Sequence, residues 1–472
     1  MKIPVFSTDE IIEATGGVLI GQRSDRRFEG LSTDSRTTGK RSCFVPLVGE
    51  RFDGHDYIAD ALKKGATAVL CSKARRELAA SFPRDISAII VDDTLKALGD
   101  MARFWKKQFA IPVVAITGSS GKTTTKEMMA AIAGISMNVL KNKGNFNNLI
   151  GLPLTLLELN SGQEMAIVEM GTNSRGEIKR LTEISEPDIG VVTNIGPAHL
   201  EGFGSLESVR DEKGDLLLGM KRSGMAITNG DDEMSAGLAH KWQGRKITFG
   251  MRRDADVRAR DVVMKGQGTM AFKLDIGKTC RMVEIAAPGI HNVYNALAAA
   301  AAALASGIAH DDIYSGLNKF RQISGRMSIH RLKNGAYLVD DAYNANPASV
   351  REALVTLKEL RGREESIVVF GDMLELGDGS EKLHEEAGMV MAETGVRKIF
   401  LRGNFSRAVA RGLTRGGVGE DHIFFADSPD LLVDHLREYL CPQHWLLVKG
   451  SRGMKMERFV QAIVDEFGEE DA

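Results

Sequence analysis

Apolar runs and amphipathic stretches alternate along the middle of the chain. The runs PVVAIT, MAIVEMG and IGVVTNI are each followed by a stretch in which apolar residues recur three and four positions apart. Short apolar runs indicate buried strands, whereas a spacing of three and four indicates helices with one buried face. Strands that alternate with helices predict a parallel sheet covered by helices, and therefore an α/β protein.

The pattern changes at two points, which predicts three domains. Residues 1–107 mix short apolar runs with turn-rich joints and end in an amphipathic segment, LKALGDMARFWKKQF. Pro112 follows that segment and opens a new apolar run, so we place the first boundary there. A second series of apolar runs begins near Ser328. We expect an N-terminal α/β domain over 1–107, a central parallel-sheet domain over 108–327 and a C-terminal Rossmann-like α/β domain over 328–472.

Two segments of the central domain depart from this alternation. Residues 244–282 are polar and rich in β-forming residues, which indicates an insertion of strands. The segment NALAAAAAALASGIA is the most apolar of the chain. Because it is alanine-rich and shorter than the roughly 20 residues of a membrane span, a buried helix is expected.

Charge and cysteine usage narrow the class of protein. The 472 residues include 61 Lys plus Arg and 63 Asp plus Glu, so no net basic charge attracts nucleic acid or an anionic membrane. The four cysteines contain no C-x-x-C pair, which argues against a structural zinc site or a disulfide framework. The first residues lack the basic start and apolar run of a signal peptide. We therefore expect a cytoplasmic protein without membrane insertion and without a nucleic-acid partner.

One loop between a strand and a helix carries the sharpest chemical signal, TGSSGKTTTKEM. The start of such a helix favours an anion through its free N–H groups and its dipole. Gly118 and Gly121 allow close approach to a phosphate, Lys122 can reach the β and γ phosphates, and Thr123 can place its hydroxyl on magnesium. The common phosphate loop has four residues between its glycines, whereas this loop has two.

A plain glycine turn that caps a helix is the alternative for this loop. It leaves the lysine and the three threonines unexplained, because β-branched residues are poor helix starters. The stretch NKGN, from residue 142, lacks the aspartate of a guanine-reading N-K-x-D motif. ATP is therefore the expected nucleotide.

Two later strand ends carry further candidate ligands. Ligands gather at the carboxyl ends of parallel strands, where Glu169 and His199 are expected. A carboxylate oxygen suits magnesium, and a histidine is a less usual ligand for it. The alternatives are a helix-capping acid and an ordinary loop histidine. Lys213 lies among acids in RDEKGDL, and its spacing alone indicates a solvated helix face.

Motifs along nearly the whole chain resemble those of the Mur ligases, which are three-domain ATP-dependent enzymes that add amino acids to the peptidoglycan precursor. They include the phosphate loop, KGNFNNLIGLPLTLL, EMGTNSRGEI, TNIGPAHLEGFGS, GIHNVYNALAA and ISGRM, together with STDSR near the N-terminus. Within the family, DDAYNANP and GDMLELG imply that D-alanyl-D-alanine is joined to UDP-N-acetylmuramoyl-tripeptide. The resemblance thus implies a cytoplasmic carbon–nitrogen ligase of cell wall synthesis, cell shape and cell division, acting as a monomer.

The resemblance also implies roles for individual residues. The nucleotide would be bound by Gly118, Ser119, Ser120, Gly121, Lys122, Thr123, Thr124, Asn292 on the adenine side, Arg326 at the γ phosphate and Asp340 at the ribose or in closure contacts. Two magnesium ions would be bound by Thr123, Glu169, His199 and, if it is carbamylated, Lys213. Catalytic roles would fall to Lys122, Glu169, His199 and Arg326.

Three clusters would bind the other substrates. The first substrate, a UDP-linked sugar peptide, would contact Ser32, Asp34, Ser35, Arg36, Asn145, Asn147 and Asn148. Taken without the family, the Ser and Asp of STDSR are more often turn and cap residues. Asn344 and Asn346 would shape the pocket for the incoming dipeptide. Lys449 and Arg452 are either anion contacts or part of a basic surface turn.

This residue set predicts amide formation through an acyl phosphate, in which electrostatic stabilisation replaces a covalent nucleophile. Another Mur ligase or a folylpolyglutamate synthase-like ligase is the nearest alternative. A phosphate-loop switch would hydrolyse nucleotide without a small acceptor. A structural α/β protein would leave the loop, Glu169 and Arg326 unexplained.

Overall fold

The computed structural model describes residues 4–20, 27–252 and 254–470. The strands of these residues form three larger sheets and a two-stranded ribbon. The α/β class expected from the alternating pattern is confirmed, and each larger sheet lies in one of the three expected regions of the chain.

The elements of the N-terminal region are β1 (Val5–Phe6), α1 (Thr8–Thr15), β2 (Val18–Ile20), β3 (Phe28–Glu29), β4 (Leu31–Ser32), β5 (Cys43–Phe44), α2 (Ile58–Lys63), β6 (Ala68–Ser72), β7 (Ser87–Val91) and α3 (Thr94–Lys106). The N-terminal sheet has the strand order β2-β7-β6-β5-β4 and is parallel except for its edge strand β2. Helix α3 also packs against the central region, where the Trp105 indole donates to Leu159 O at 3.0 Å.

The central region begins with β8 (Val113–Thr117), α4 (Lys122–Ala133), β9 (Val139–Lys141), α5 (Gly151–Leu156), β10 (Met165–Glu169), α6 (Glu177–Ser185), β11 (Ile189–Val192), α7 (Leu200–Phe203), α8 (Leu206–Gly219), β12 (Met225–Asn229) and α9 (Glu233–Lys241). It continues with β13 (Arg245–Gly250), β14 (Val257–Lys265), β15 (Thr269–Ile276), β16 (Thr279–Ile285), α10 (Ile290–Ala305) and α11 (His310–Lys319).

All these strands join one sheet in the order β16-β15-β14-β13-β12-β11-β8-β10-β9. The sheet is parallel from β9 to β14, as expected, whereas β14, β15 and β16 pair antiparallel. The difference arises in the polar insertion, whose short turns allow only hairpin pairing. The insertion therefore extends the sheet at one edge.

Helix α10 contains the alanine-rich segment and is buried along Ala296–Ala303. Its small side chains let it pack closely on α4, the helix that follows the phosphate loop. No helix among the described residues is long and apolar enough to cross a membrane.

The C-terminal sheet has the order β17-β18-β22-β19-β20-β21, with only β17 antiparallel to its neighbour in the described ranges. Its elements are β17 (Ser328–Arg331), β18 (Tyr337–Asp341), α12 (Pro347–Arg361), β19 (Ser366–Gly371), α13 (Ser380–Thr394), β20 (Lys398–Arg402), α14 (Ser406–Arg415), β21 (Ile423–Phe425), α15 (Pro429–Tyr439), β22 (Trp445–Lys449) and α16 (Glu457–Phe467).

The carboxyl ends of two parallel sheets meet at one cavity. Loops after β8, β10 and β11 line it from the central region, and loops after β18, β19 and β22 line it from the C-terminal region. Ligand sites of open α/β sheets lie at such strand ends.

Candidate active site

The cavity between the central and C-terminal regions has a volume of about 400 Å³. The predicted site residues that line it are Ser119, Ser120, Gly121, Lys122, Thr123, Thr124, Asn145, Asn147, Asn148, Glu169, His199, Asn292, Arg326, Asn344 and Asn346. Residues from seven separate motifs therefore come together at one place.

The phosphate loop depends on its two glycines. Gly118 and Gly121 have φ of 153° and 79°, which L side chains rarely adopt. A Cβ on Gly118 would overlap the Thr193 hydroxyl, and a Cβ on Gly121 would overlap the Asn295 side-chain oxygen. The loop is also held by Asn194, whose side-chain and backbone oxygens accept from Ser120 N at 2.9 Å and Ser119 N at 3.0 Å. The short spacing thus produces a rigid turn.

The start of helix α4 is open towards the cavity. Gly121 is its N-cap, and no described side chain caps the helix there. The first N–H groups of a helix lack internal partners and bind anions well. With two of the loop N–H groups already bonded to Asn194, the N–H groups at the helix start are the remaining donors for a phosphate.

Two cations stand beside this helix start. Lys122 Nζ donates to Gly118 O at 2.9 Å, and Arg326 Nη2 lies 3.3 Å from Thr123 Oγ1. Burial lowers the pKa of Lys122, and the nearby Glu169 carboxylate opposes this effect. A polyanion in the cavity would therefore gain two charge-assisted contacts and would favour the charged lysine.

Glu169 ends strand β10 and is almost fully buried. Asn147 Nδ2 donates to its Oε1 at 2.8 Å, and Lys126 Nζ lies 3.9 Å from its Oε2. Oε2 is buried and has no hydrogen-bond donor. A buried carboxylate oxygen without a donor fits a divalent cation, which would satisfy its lone pairs.

His199 reaches the same cavity from the loop after β11. It has φ of 54°, and its Nδ1 lies 2.5 Å from Glu375 Oε2 of the C-terminal region. The imidazole holds the pKa of Glu375 below its usual range. Among the described residues no group of three or more His, Cys, Asp or Glu side chains could hold a metal. Magnesium, which binds proteins through one or two carboxylates plus substrate phosphates, needs no such group.

The structure contradicts the solvated helix face expected at Lys213. Its side chain is only 2% exposed, and the acids before it in sequence accept hydrogen bonds from other groups. Neighbouring Glu212, for example, accepts from Gly176 N and Ile178 N at 2.7 and 2.9 Å. Burial, together with the charge of Lys122, lowers the pKa of Lys213 to about 7. Lys213 lies outside the cavity lining.

Several other predicted residues also lie outside the lining, namely Gly118, Asp340, Ser32, Asp34, Ser35 and Arg36. Asp340 accepts from Gly325 N at 2.7 Å and from Ala342 N at 3.1 Å, so its carboxylate fixes the entry to the C-terminal region. The STDSR cluster forms a local turn, in which the Ser32 hydroxyl donates to Asp34 O at 2.8 Å. The Arg36 guanidinium holds the pKa of Asp34 at about 2.

Some lining residues escaped the sequence interpretation. Asp341, not Asp340, faces the cavity and pairs with buried Lys449. Successive residues of a strand point to opposite faces, so the pair of aspartates in DDAY left the choice open. Tyr343 also lines the cavity, with its ring centroid 4.0 Å from Arg326 Cζ. An aromatic residue between polar positions gives no separate signal in the sequence.

Comparison with known proteins gives matches along most of the chain. Residues 27–106 match the family described as "Mur ligase family, catalytic domain". Residues 116–303 match the Mur ligase middle domain, and residues 325–452 match "Mur ligase, glutamate ligase domain".

Two curated relatives are similar over nearly their full length, and both are named UDP-N-acetylmuramoyl-tripeptide–D-alanyl-D-alanine ligase. The protein of Escherichia coli (strain K12) is 36% identical over 453 residues, covering 94% of this chain and 95% of that protein. The protein of Bacillus subtilis (strain 168) is 34% identical over 456 residues, covering 96% and 97%.

Solved structures agree with these matches. MurF from Acinetobacter baumannii superposes with a TM-score of 0.89 at 30% identity, covering 99% of this chain and 100% of that chain. MurF ligase from Thermotoga maritima in complex with ADP gives a TM-score of 0.83 at 27% identity, covering 93% and 97%.

Proposed function

Because the chain belongs to the Mur ligase family, we propose that it is an ATP-dependent carbon–nitrogen ligase that adds D-alanyl-D-alanine to UDP-N-acetylmuramoyl-tripeptide. The products are UDP-N-acetylmuramoyl-pentapeptide, ADP and phosphate, in the synthesis of the peptidoglycan precursor. The family is the one expected from the motifs. Relatives named for this activity match more than nine-tenths of the chain.

One observation of the site carries the proposal. The open helix start, Lys122 and Arg326 face the buried Glu169 across one cavity, and the C-terminal loops close its other side. A phosphate, a divalent cation and an acceptor would all fit around this point. If the loop only capped a helix, or if the protein had only a structural role, the helix start, the two cations and the buried carboxylate would have no ligand to bind.

The reaction needs an activated carboxylate. A carboxylate oxygen of the tripeptide attacks the γ phosphorus of ATP, the bond to the bridging oxygen breaks, and ADP leaves. The amine of D-alanyl-D-alanine then attacks the acyl carbon of this acyl phosphate and gives a tetrahedral intermediate. Collapse of the intermediate forms the amide, expels phosphate and releases a proton to a base or to phosphate.

The residues of the chain act mainly through charge and position. Lys122 and Arg326 stabilise negative charge that develops on the transferred phosphoryl group, and the helix start binds the adjacent phosphates. Asn147 orients the carboxylate of Glu169 through its 2.8 Å hydrogen bond. Asn292, which is buried at the start of α10, would contact the adenine side.

Magnesium is part of the proposal, with Thr123, Glu169 and His199 as its protein ligands. When bound, magnesium neutralises charge on the triphosphate and on the transferred group. A second ion would use a carbamylated Lys213. The pKa of about 7 favours that modification, because a neutral amine reacts with carbon dioxide.

The domain roles follow the same proposal. Residues 1–107 would bind the UDP-linked sugar peptide, residues 108–327 would bind ATP, and residues 328–472 would bind the dipeptide and close on the nucleotide. We further propose a cytoplasmic monomer. Scattering in solution should show compaction when nucleotide and sugar peptide are both added, and an unchanged radius of gyration would contradict closure.

The direct test is reconstitution from purified components. The protein is incubated with ATP, magnesium and UDP-N-acetylmuramoyl-tripeptide, with and without D-alanyl-D-alanine. We expect phosphate release that depends on both substrates, and a product with the mass of the pentapeptide. Activity with single amino acids in place of the dipeptide would indicate another Mur ligase, and turnover without any acceptor would indicate a phosphate-loop switch.

A further inference from the structure

Four Lys and Arg side chains line the cavity within the described part of the chain, namely Lys122, Arg326, Lys449 and Arg452. Lys122 and Arg326 stand at the phosphate loop and would be used by the nucleotide. An incoming dipeptide carries a carboxylate of its own, which needs a cation on the C-terminal side of the cavity. Lys449 and Arg452 are the candidates from that side.

Lys449 is already neutralised. It is 2% exposed and forms an ion pair with Asp341, and its Nζ also donates to Asn344 O at 3.1 Å. Removing a charge from such a buried pair leaves the other charge uncompensated, so Asp341 and Lys449 stay together. Lys449 therefore stabilises the loop after β18 and is not available to bind an external anion.

Arg452 is free to take a ligand. Its side chain is 58% exposed, and its ion pair with Glu457 at 3.1 Å lies at the surface. Exposed pairs stabilise little and are readily exchanged. A guanidinium binds a carboxylate through two parallel hydrogen bonds, which makes such a contact specific.

Hydrogen bonds to the predicted dipeptide pocket hold Ser451 and the backbone of Arg452 in place. Arg452 N donates to Asn344 Oδ1 at 3.3 Å, and the Ser451 hydroxyl donates to Ala345 O at 3.0 Å. Leu374 N in turn donates to the Ser451 hydroxyl at 2.9 Å. The loops after β18, β19 and β22 are thus joined at the point where Arg452 begins.

One aromatic ring contacts both arginines. The centroid of the Tyr343 ring lies 4.0 Å from Arg326 Cζ and 5.4 Å from Arg452 Cζ. Both distances are in the range of cation–π attraction. Because both distances are measured to the same ring, the two Cζ atoms are at most 9.4 Å apart, and two extended residues span roughly 7 Å. A single amino acid spans about half of that.

We propose that Arg452 binds the C-terminal carboxylate of the incoming dipeptide, and that Tyr343 holds Arg452 within reach of a dipeptide whose amine lies near Arg326 and the reacting phosphate. The amine of the dipeptide then reaches the acyl carbon while its carboxylate rests on Arg452. This inference rests on the proposed function and names the residue that selects a dipeptide with a free carboxylate.

The test removes the charge from the protein and from the substrate in turn. Steady-state rates are measured with D-alanyl-D-alanine and with D-alanyl-D-alanine amide, which lacks the carboxylate charge, for the full-length chain and for Arg452→Gln. We expect the unaltered protein to prefer the free carboxylate by about tenfold or more in kcat/KM, and Arg452→Gln to lose most of that preference. The KM for ATP should not change.

Two further variants separate position from charge. Tyr343→Phe keeps the ring and should keep the preference, whereas Tyr343→Leu should lower it and should also lower kcat through Arg326. Arg458→Gln is the matched control, because Arg458 is an exposed arginine of α16 outside the cavity lining, and it should behave as the unaltered protein.

Three outcomes would overturn the inference. An unaltered protein that uses both dipeptides equally, or an Arg452→Gln variant that keeps the full preference with an unchanged thermal midpoint, would show that Arg452 does not bind the carboxylate. In both cases the proposed function stands, because pentapeptide is formed. Failure of the unaltered protein to form pentapeptide would overturn the proposed function and this inference with it.

Discussion

Arg326 and Thr123 are 203 residues apart in the chain, yet Arg326 Nη2 lies 3.3 Å from Thr123 Oγ1. Thr123 belongs to the phosphate loop, and Arg326 stands at the entry to the C-terminal sheet. The contact brings a cation from the C-terminal side to the helix start that would bind phosphate. The position of the C-terminal region therefore determines how close the charge of Arg326 lies to this helix start.

Arg326→Lys should lower kcat while the KM for ATP changes little. Lysine keeps the charge but loses the planar fork that contacts Thr123 and Tyr343 at once. Loss of one such stabilising group costs roughly 100-fold in kcat. The rate of phosphate release in the presence of both substrates measures the change in kcat. Arg321→Lys, at an exposed arginine five residues earlier, is the control and should be fully active.

Gly121→Ala should abolish nucleotide binding and destabilise the central region. The residue has φ of 79°, and a Cβ there would overlap the Asn295 amide. Gly307→Ala is the matched control, because Gly307 has φ of 76° with open space around it. The control should cost only the strain of the backbone, about 1 kcal/mol. Calorimetric titration with ADP and thermal unfolding distinguish the two, and equal effects would show that the overlap does not matter.

Glu169→Gln should weaken the magnesium dependence of nucleotide binding more than nucleotide binding itself. The variant keeps the shape and one acceptor oxygen for Asn147 but loses the charge of a buried carboxylate whose Oε2 has no donor. Titration of ADP at increasing magnesium concentration measures the effect without any need for catalysis. Glu158→Gln, an exposed glutamate after α5, serves as control. An unchanged magnesium response in Glu169→Gln would remove this residue from the metal site.

Lys213 should be carbamylated, and the modified fraction should rise with pH through about 7, the value to which burial lowers the pKa of its amine. The amine adds to carbon dioxide, which forms an N–C bond and releases a proton. Carbon-13 NMR with labelled bicarbonate should show a carbamate signal that Lys213→Met lacks. A signal of equal size in Lys213→Met would assign it to another lysine.

The same amine predicts the pH dependence of stability when carbon dioxide is excluded. The pKa is about 7 in the folded chain and 10.5 for an ordinary lysine, so the unfolded chain binds more protons between these values. The free energy of unfolding should therefore rise with pH from about 7 upwards, relative to Lys213→Met. Chemical denaturation at pH 6.5 and at pH 9 checks the sign.

The sequence was sufficient to predict the features that form within one short stretch of the chain. The phosphate loop needs only a strand, two glycines and a helix start, and all of these lie between Val113 and Ala133. Glu169 was found because the last residue of an apolar parallel strand lies at the ligand-binding edge. The parallel order of the central strands followed from the helices between them.

Features that depend on packing between distant segments could not be predicted from the sequence in this way. The burial of Lys213 depends on what covers helix α8, and the acids beside it in sequence suggested a solvated face. The choice between Asp340 and Asp341 depends on which side of β18 meets the cavity. The antiparallel edge of the central sheet depends on where the polar insertion docks.

His199 and Glu375 belong to loops of different sheets, and Glu201 N also donates to Glu375 O at 3.2 Å. These contacts exist only while the central and C-terminal regions are together. Under the proposed closure, ligands that enter or leave between the two regions would require these contacts to break, so each turnover would include an opening event. The contact that would keep water from a reactive acyl phosphate would then also limit how soon the enclosed product departs.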